Sequence, residues 1–122
     1  MNQPPRVLVV DDYDVIRKIH INNLRKLNIS DIDEAGDGKQ ALTAVSSHEY
    51  DLIIMDFYMP EMNGLEALKI LRTQGFSKPI LLCTDESEVA VLQNAKNNGA
   101  TQILKKPYIP SQFRSIVLEL LK

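Results

Sequence analysis

Four places in the chain carry side chains suited to one chemistry: Asp11-Asp12, Asp56, Thr84 and Lys105-Lys106-Pro107. Each directly follows a short apolar run, in order Val7-Leu8-Val9-Val10, Leu52-Ile53-Ile54-Met55, Ile80-Leu81-Leu82-Cys83 and Ile103-Leu104. Three carboxylates brought to one partly buried point repel each other, and something must offset them. Oxygen ligands favour a hard cation, and an acidic pocket with room for water suits Mg²⁺. The Thr84 hydroxyl and the Lys106 ammonium are a donor and a cation, the groups that would hold a tetrahedral oxyanion beside that metal. An aspartate next to Mg²⁺ can itself accept a phosphoryl group as an acyl phosphate. The set points to phosphoryl transfer, in which positioning and charge neutralisation supply nearly all the catalysis. Taken singly, each residue has a plainer reading: an Asp or Thr after a strand as a helix cap, Lys-Pro as a turn. The information lies in the whole set and its order.

For these residues to converge, the apolar runs must be adjacent strands. Four apolar residues in a row, without alternation, is the pattern of a strand buried on both faces. A fifth, weaker run spans Ile32 to Ala35. Between the runs lie segments of helical period. Phe113, Ile116, Val117, Leu120 and Leu121 form a complete stripe; Leu65, Leu68 and Leu71 mark one over Gly64 to Gln74; Ile16, Ile19, Leu24 and Leu27 mark one over Asp14 to Leu27. Asp37 with Gln40 reads as a capping box opening the second helix, and Pro110 suits the first turn of the last. Gly75 and Gly99 are placed to end the third and fourth. The order is (βα)5, an α/β fold. Its strands must pair in parallel through right-handed crossovers, with helices on both faces of the sheet. Ligands in such folds bind at the carboxyl ends of the strands, where the four sets stand.

At 122 residues the chain has the length of one domain. A net charge of −2 and a pI near 5.6 give no compositional support for nucleic-acid binding. No apolar run approaches a membrane span, so no membrane insertion is expected, and Met1 to Pro5 is too polar for a signal peptide. A lone Cys83 excludes an internal disulfide and, inside an apolar run, reads as a buried small hydrophobe. The expectation is a cytoplasmic protein.

The sequence resembles the receiver domain of two-component response regulators, in its stand-alone, CheY-like form. The resemblance rests on Val7-Leu8-Val9-Val10-Asp11-Asp12, Glu34-Ala35-Gly36-Asp37-Gly38, Asp56 through Gly64 (Asp-Phe-Tyr-Met-Pro-Glu-Met-Asn-Gly), Thr84, Gly99-Ala100 and Lys106-Pro107. It covers nearly the whole chain, implying one receiver domain over 1–122 with no output domain. It also implies a flavodoxin-like, doubly wound sheet in strand order 2-1-3-4-5. Asp56 would be the phosphoacceptor. Asp12, Asp56 and the backbone carbonyl of Tyr58 would ligate Mg²⁺, with Asp11 acting through water. Thr84 would hydrogen-bond the phosphoryl group, Lys106 would pair with it, and the Lys106–Pro107 bond would be cis. The donor would be a phosphohistidine on a sensor histidine kinase or phosphotransfer protein. Output would pass by protein contact through the fourth helix, fifth strand and fifth helix. A chemotaxis pathway, with the flagellar motor switch as target, is the leading expectation, and a phosphorelay intermediate the alternative.

Three positions depart from the family pattern. Ile103 stands where an aromatic is common, and reads as a core strand residue. Asp85 follows Thr84, where a small residue is usual. It either adds a carboxylate near the site or caps the fourth helix with Glu88. Tyr58 stands where its ring would overhang Asp56 and shield an acyl phosphate from water. His20 and His48 read as surface or helix-face residues, and Ile109 stands where a capping side chain is expected.

Rival readings are weaker. Asp12-Tyr13-Asp14-Val15 loosely fits the motif of haloacid-dehalogenase-type phosphatases, with Asp12 as nucleophile and Asp14 as acid/base, but this leaves Asp56 unused. No glycine-rich phosphate loop follows the first strand, against a nucleotide or flavin site. A degenerate, unphosphorylated interaction module is disfavoured because every expected site residue is present.

Overall fold

The computed structural model describes residues 3–122, so Met1 and Asn2 of the polar N-terminal stretch lie outside the described residues. Five strands alternate with five helices: β1 (Arg6–Val10), α1 (Asp14–Arg25), β2 (Asp31–Ala35), α2 (Gly38–Ser47), β3 (Leu52–Asp56), α3 (Gly64–Thr73), β4 (Ile80–Thr84), α4 (Val89–Asn97), β5 (Gln102–Lys105) and α5 (Pro110–Leu120). The strands are all parallel, in the order β2-β1-β3-β4-β5, as the family resemblance implied. No helix among the described residues is long and apolar enough to cross a membrane.

The unbroken apolar runs divide by strand alternation into two cores. Leu8, Val10, Ile53, Met55, Ile80 and Leu82 face Ala41 of α2, Leu68 and Leu71 of α3 and Ala95 of α4. Val7, Val9, Leu52, Ile54, Leu81 and Cys83 face Leu24 of α1 and Phe113 and Val117 of α5. Ile103 is half-buried against the first core, in keeping with a plain strand residue. Each fully buried aliphatic side chain contributes about 1.5–3 kcal/mol of transfer free energy, which holds the central strands in fixed register.

The helix ends show where local rules held. Gly75 and Gly99 adopt φ of 97° and 112°, closing α3 and α4 in the left-handed region. Asn63 and Glu66 form a complete capping box opening α3. At α2 the expected box is half-built. Asp37 accepts from Gln40 N, but the Gln40 side chain accepts from Gly36 N instead of Asp37 N. Ile109 precedes Pro110 without a side-chain cap, as its residue type requires.

The α1 stripe differs from expectation. The helix ends at Arg25 and buries His20, Ile21, Asn23 and Leu24, while Ile19 is 46% exposed. His20 is therefore a core residue, not a surface one. Its ring stacks on Phe113, with centroids 4.8 Å apart, and its Nε2 is hydrogen-bonded to the Tyr108 hydroxyl. Those partners lie some 90 positions away, so the α1 pattern held no sign of them.

Candidate functional site

The order β2-β1-β3-β4-β5 places a topological switch between β1 and β3, and the carboxylates stand at the carboxyl ends of those two strands. Asp11 continues β1 by donating its N–H to Ala35 O at 3.1 Å, and its carboxylate accepts from Tyr13 N at 2.9 Å. Asp56 ends β3. Gly64 permits the close approach of α3 there, since a methyl group on it would lie 2.5 Å from the Asp56 carbonyl oxygen. One carboxylate oxygen from each of Asp11, Asp12 and Asp56 lies within 4.8 Å of the others. Asp12 Oδ1 is buried with no hydrogen-bond partner among the described residues. A buried carboxylate oxygen is costly without a partner, and beside two further carboxylates it fits an oxygen-coordinated divalent cation.

Lys106 Nζ donates to Asp56 Oδ1 at 2.7 Å, reaching across from the end of β5. The Lys106–Pro107 bond is cis. Burial, with the charge of Asp12 adding to it, holds the Asp56 carboxyl above its ordinary range against the opposing pull of Lys106. The same contact lifts Lys106 despite the opposing effect of burial. Asp11 is pushed up to about 6, chiefly by burial, with the charges of Asp56 and Asp12 adding to it and Tyr13 N–H and Lys106 opposing it. These are carboxylates held in a repulsive group at neutral pH.

Thr84, 1% exposed, ends β4 beside this group, and its Oγ1 accepts from Glu86 N at 2.9 Å. The hydroxyl proton is left for a further acceptor. Asp12, Tyr58, Met59, Pro60, Asn63, Asp85 and Lys106 line an open mouth above Asp56. Asp85 is exposed there and does not cap α4, whose N-cap is Glu88 and which has no side-chain cap. The reason is local. The Glu86 carboxylate accepts from Ser87 N and Glu88 N, which holds the segment outside the helix.

Tyr58 is half exposed, and its ring meets Phe57 edge-on. Its hydroxyl donates to Glu86, which raises the phenol to about 12. The ring thus bridges the β3–α3 and β4–α4 loops at the mouth. Glu86 was not legible in the sequence as a site residue. Asp14 is exposed at the start of α1 and, among the described residues, stands outside the Asp11, Asp12 and Asp56 carboxylate group. Cys83 is buried, and burial raises its thiol to about 12, as befits a core residue.

Residues 7–118 match the family described as the response regulator receiver domain. Chemotaxis protein CheY-3 of Vibrio cholerae serotype O1 is 32% identical over 116 residues, covering 93% of this chain and 89% of that protein. Protein RcaC of Microchaete diplosiphon is 32% identical over 117 residues, but the chain spans only 18% of its length. Among solved structures, the chemotaxis protein CheY4 of Vibrio cholerae superposes with a TM-score of 0.90 at 33% identity, over 98% of this chain and 100% of that one.

Proposed function

The chain belongs to the response regulator receiver domain family, and on that premise we propose that it is a phosphorylatable switch of a two-component system with Asp56 as its phosphoacceptor. The observation that carries this reading is the Asp56 carboxylate, paired with Lys106 at 2.7 Å and set beside the unpartnered Oδ1 of Asp12. A carboxylate oxygen of Asp56 attacks the phosphorus of a phosphohistidine on a sensor kinase or phosphotransfer protein. The P–N bond breaks, and the imidazole nitrogen leaves with the electron pair. Asp56 becomes an acyl phosphate. Lys106 transfers its contact to the phosphoryl oxygens, and the Thr84 hydroxyl donates its free proton to one of them. Asp12, Asp56 and the Tyr58 backbone carbonyl would hold Mg²⁺, with Asp11 acting through water, and the ion would supply positive charge to the reacting phosphoryl group. Hydrolysis reverses the state: water attacks phosphorus, the P–O bond to Asp56 breaks, and orthophosphate leaves. No separate substrate is turned over.

Drawing Thr84 toward the phosphoryl group disturbs its contact with Glu86 N and so the lead into α4. That helix buries only Ala95 fully, a weak attachment of the kind found in elements that move. The α4–β5–α5 face is accordingly the output surface, read by a protein target. The likeness to CheY-3 and CheY4 supports a chemotaxis pathway in the cytoplasm, with the flagellar motor switch as a target of suitable kind.

The test is intact-protein mass after incubation with acetyl phosphate, with and without Mg²⁺, on wild type and Asp56→Asn. A single phosphoryl adduct that needs both Mg²⁺ and Asp56 is expected. An adduct on Asp56→Asn, or none on wild type, overturns the assignment. Tyr58→Asn removes the ring at the mouth and should shorten the phosphorylated lifetime several-fold, read as decay of the adduct mass. An unchanged decay rate eliminates the shielding role.

A further inference from the structure

Arg17 lies in the first turn of α1, where side chains lean back toward the helix N-terminus. Its guanidinium therefore reaches the end of the sheet and not solvent, and its side chain is only 18% exposed. Nη1 donates to the backbone carbonyl of Asp11 at 2.6 Å, and Nε donates to Glu34 Oε1 at 2.9 Å. One planar group thus joins α1, the end of β1 and the penultimate residue of β2. The carbonyl it holds belongs to the Asp11–Asp12 peptide, so the contact fixes the tilt of that peptide plane. The tilt in turn sets the direction in which the Asp12 side chain leaves the backbone.

The neighbouring contacts complete the constraint. Asp11 N is tied to Ala35 O, and the Asp11 carboxylate to Tyr13 N. Asp12 Oδ1, by contrast, has no partner of its own. Its position is inherited from the peptide that Arg17 grips. We propose that Arg17, braced by Glu34, is a positioning residue for the divalent cation: it aims the free carboxylate oxygen of Asp12 at the site before the cation arrives. The inference rests on the reading of Asp11, Asp12 and Asp56 as a Mg²⁺ site. Lysine is a poor substitute, because a single ammonium lacks the rigid fork that addresses two acceptors on different strands at once.

The test titrates wild type, Arg17→Met, Arg17→Lys and Glu34→Met with MgCl₂, following backbone amide shifts around residue 12 by NMR. Outer partners of metal ligands commonly change affinity by about 10- to 100-fold, so Arg17→Met is expected to weaken Mg²⁺ binding about tenfold. Arg17→Lys should recover part of that loss, and Glu34→Met should weaken binding less, in the same direction. Glu34→Met also keeps the test open if Arg17→Met does not fold. Denaturant midpoints taken alongside separate aiming from mere stapling of helix to sheet. Variants that lose stability but bind Mg²⁺ as wild type does overturn the proposal. A wild type that shows no saturable Mg²⁺ response overturns the metal-site reading itself, which is a distinguishable result.

Discussion

Lys106→Met lowers the rate of Asp56 phosphorylation by a small phosphodonor by about 100-fold at saturating Mg²⁺, on the scale seen when one preorganised oxyanion contact is removed. The ammonium has two roles. Before reaction it sits 2.7 Å from Asp56 Oδ1 and restrains a carboxyl that burial pushes upward. During transfer it is the one side-chain cation lining the mouth above Asp56 among the described residues. Without it Asp56 keeps the repulsion of Asp11 and Asp12 and loses its counter-charge, so its carboxyl moves further up and a smaller fraction is ionised at a given pH. At limiting Mg²⁺, where the cation does not already offset the carboxylates, the variant's rate should fall with acidification from a higher pH than that of wild type. Stopped-time mass measurements across pH 5–8 check both the factor and the displacement. A variant with the wild-type rate and pH dependence removes Lys106 from the reaction.

This site was legible in the sequence because its residues sit at the ends of strands that carry an unmistakable signal. Val7–Val10, Leu52–Met55 and Ile80–Cys83 are apolar without interruption, and parallel pairing leaves their following residues nowhere to go but one edge. β2 was faint for a physical reason: as an edge strand it exposes Asp31 and Glu34, so its pattern is diluted. What the sequence hid were contacts made by tertiary approach. His20 looked like a helix-face residue because its shelter comes from Tyr108 and Phe113. Asp85 and Glu88 had the spacing of a capping box, yet the carboxylate between them took the local N–H groups first. Arg17 bore no motif at all, and its role depends on a backbone carbonyl six residues before it. Spacing rules read what lies along the chain; these features depend on which groups the folded sheet brings together.

In metal-free protein at pH 7, Asp11→Asn should stabilise the fold by about 3 kcal/mol, since it removes a buried charge whose pKa the fold raises from 3.8 to about 6. Asparagine keeps the Oδ1 acceptor for Tyr13 N–H, so the hydrogen bond survives. The pH dependence supplies the sharper test, because two groups act in opposite senses over one window. Asp11 takes up a proton near pH 6 in the folded state, against its ordinary 3.8, so acidification from 7 toward 4 relieves its destabilisation. His20, lowered to about 4 by burial and then by the charge of Lys106, stays neutral in the fold while the unfolded imidazole protonates near 6.5. Its contribution is present above pH 6.5 and drains away toward 4. Each slope is about 1.4 kcal/mol per pH unit, and between about pH 6 and 4 they largely cancel. The raised carboxyl of Asp56 adds to the acid-favouring side. Denaturant midpoints at intervals from pH 4.5 to 7.5 should therefore vary less steeply for wild type than Asp11 and Asp56 alone would make them, with the residual slope favouring low pH. In Asp11→Asn they should fall relative to wild type as pH falls, because the His20 contribution is less opposed. In His20→Gln, which retains an acceptor for Tyr108, they should rise as pH falls. MgCl₂ at pH 7 should raise the wild-type midpoint and do less for Asp11→Asn, because the cation offsets the same charge that the substitution deletes. Identical pH profiles for the three proteins would show that neither buried group titrates as its surroundings require.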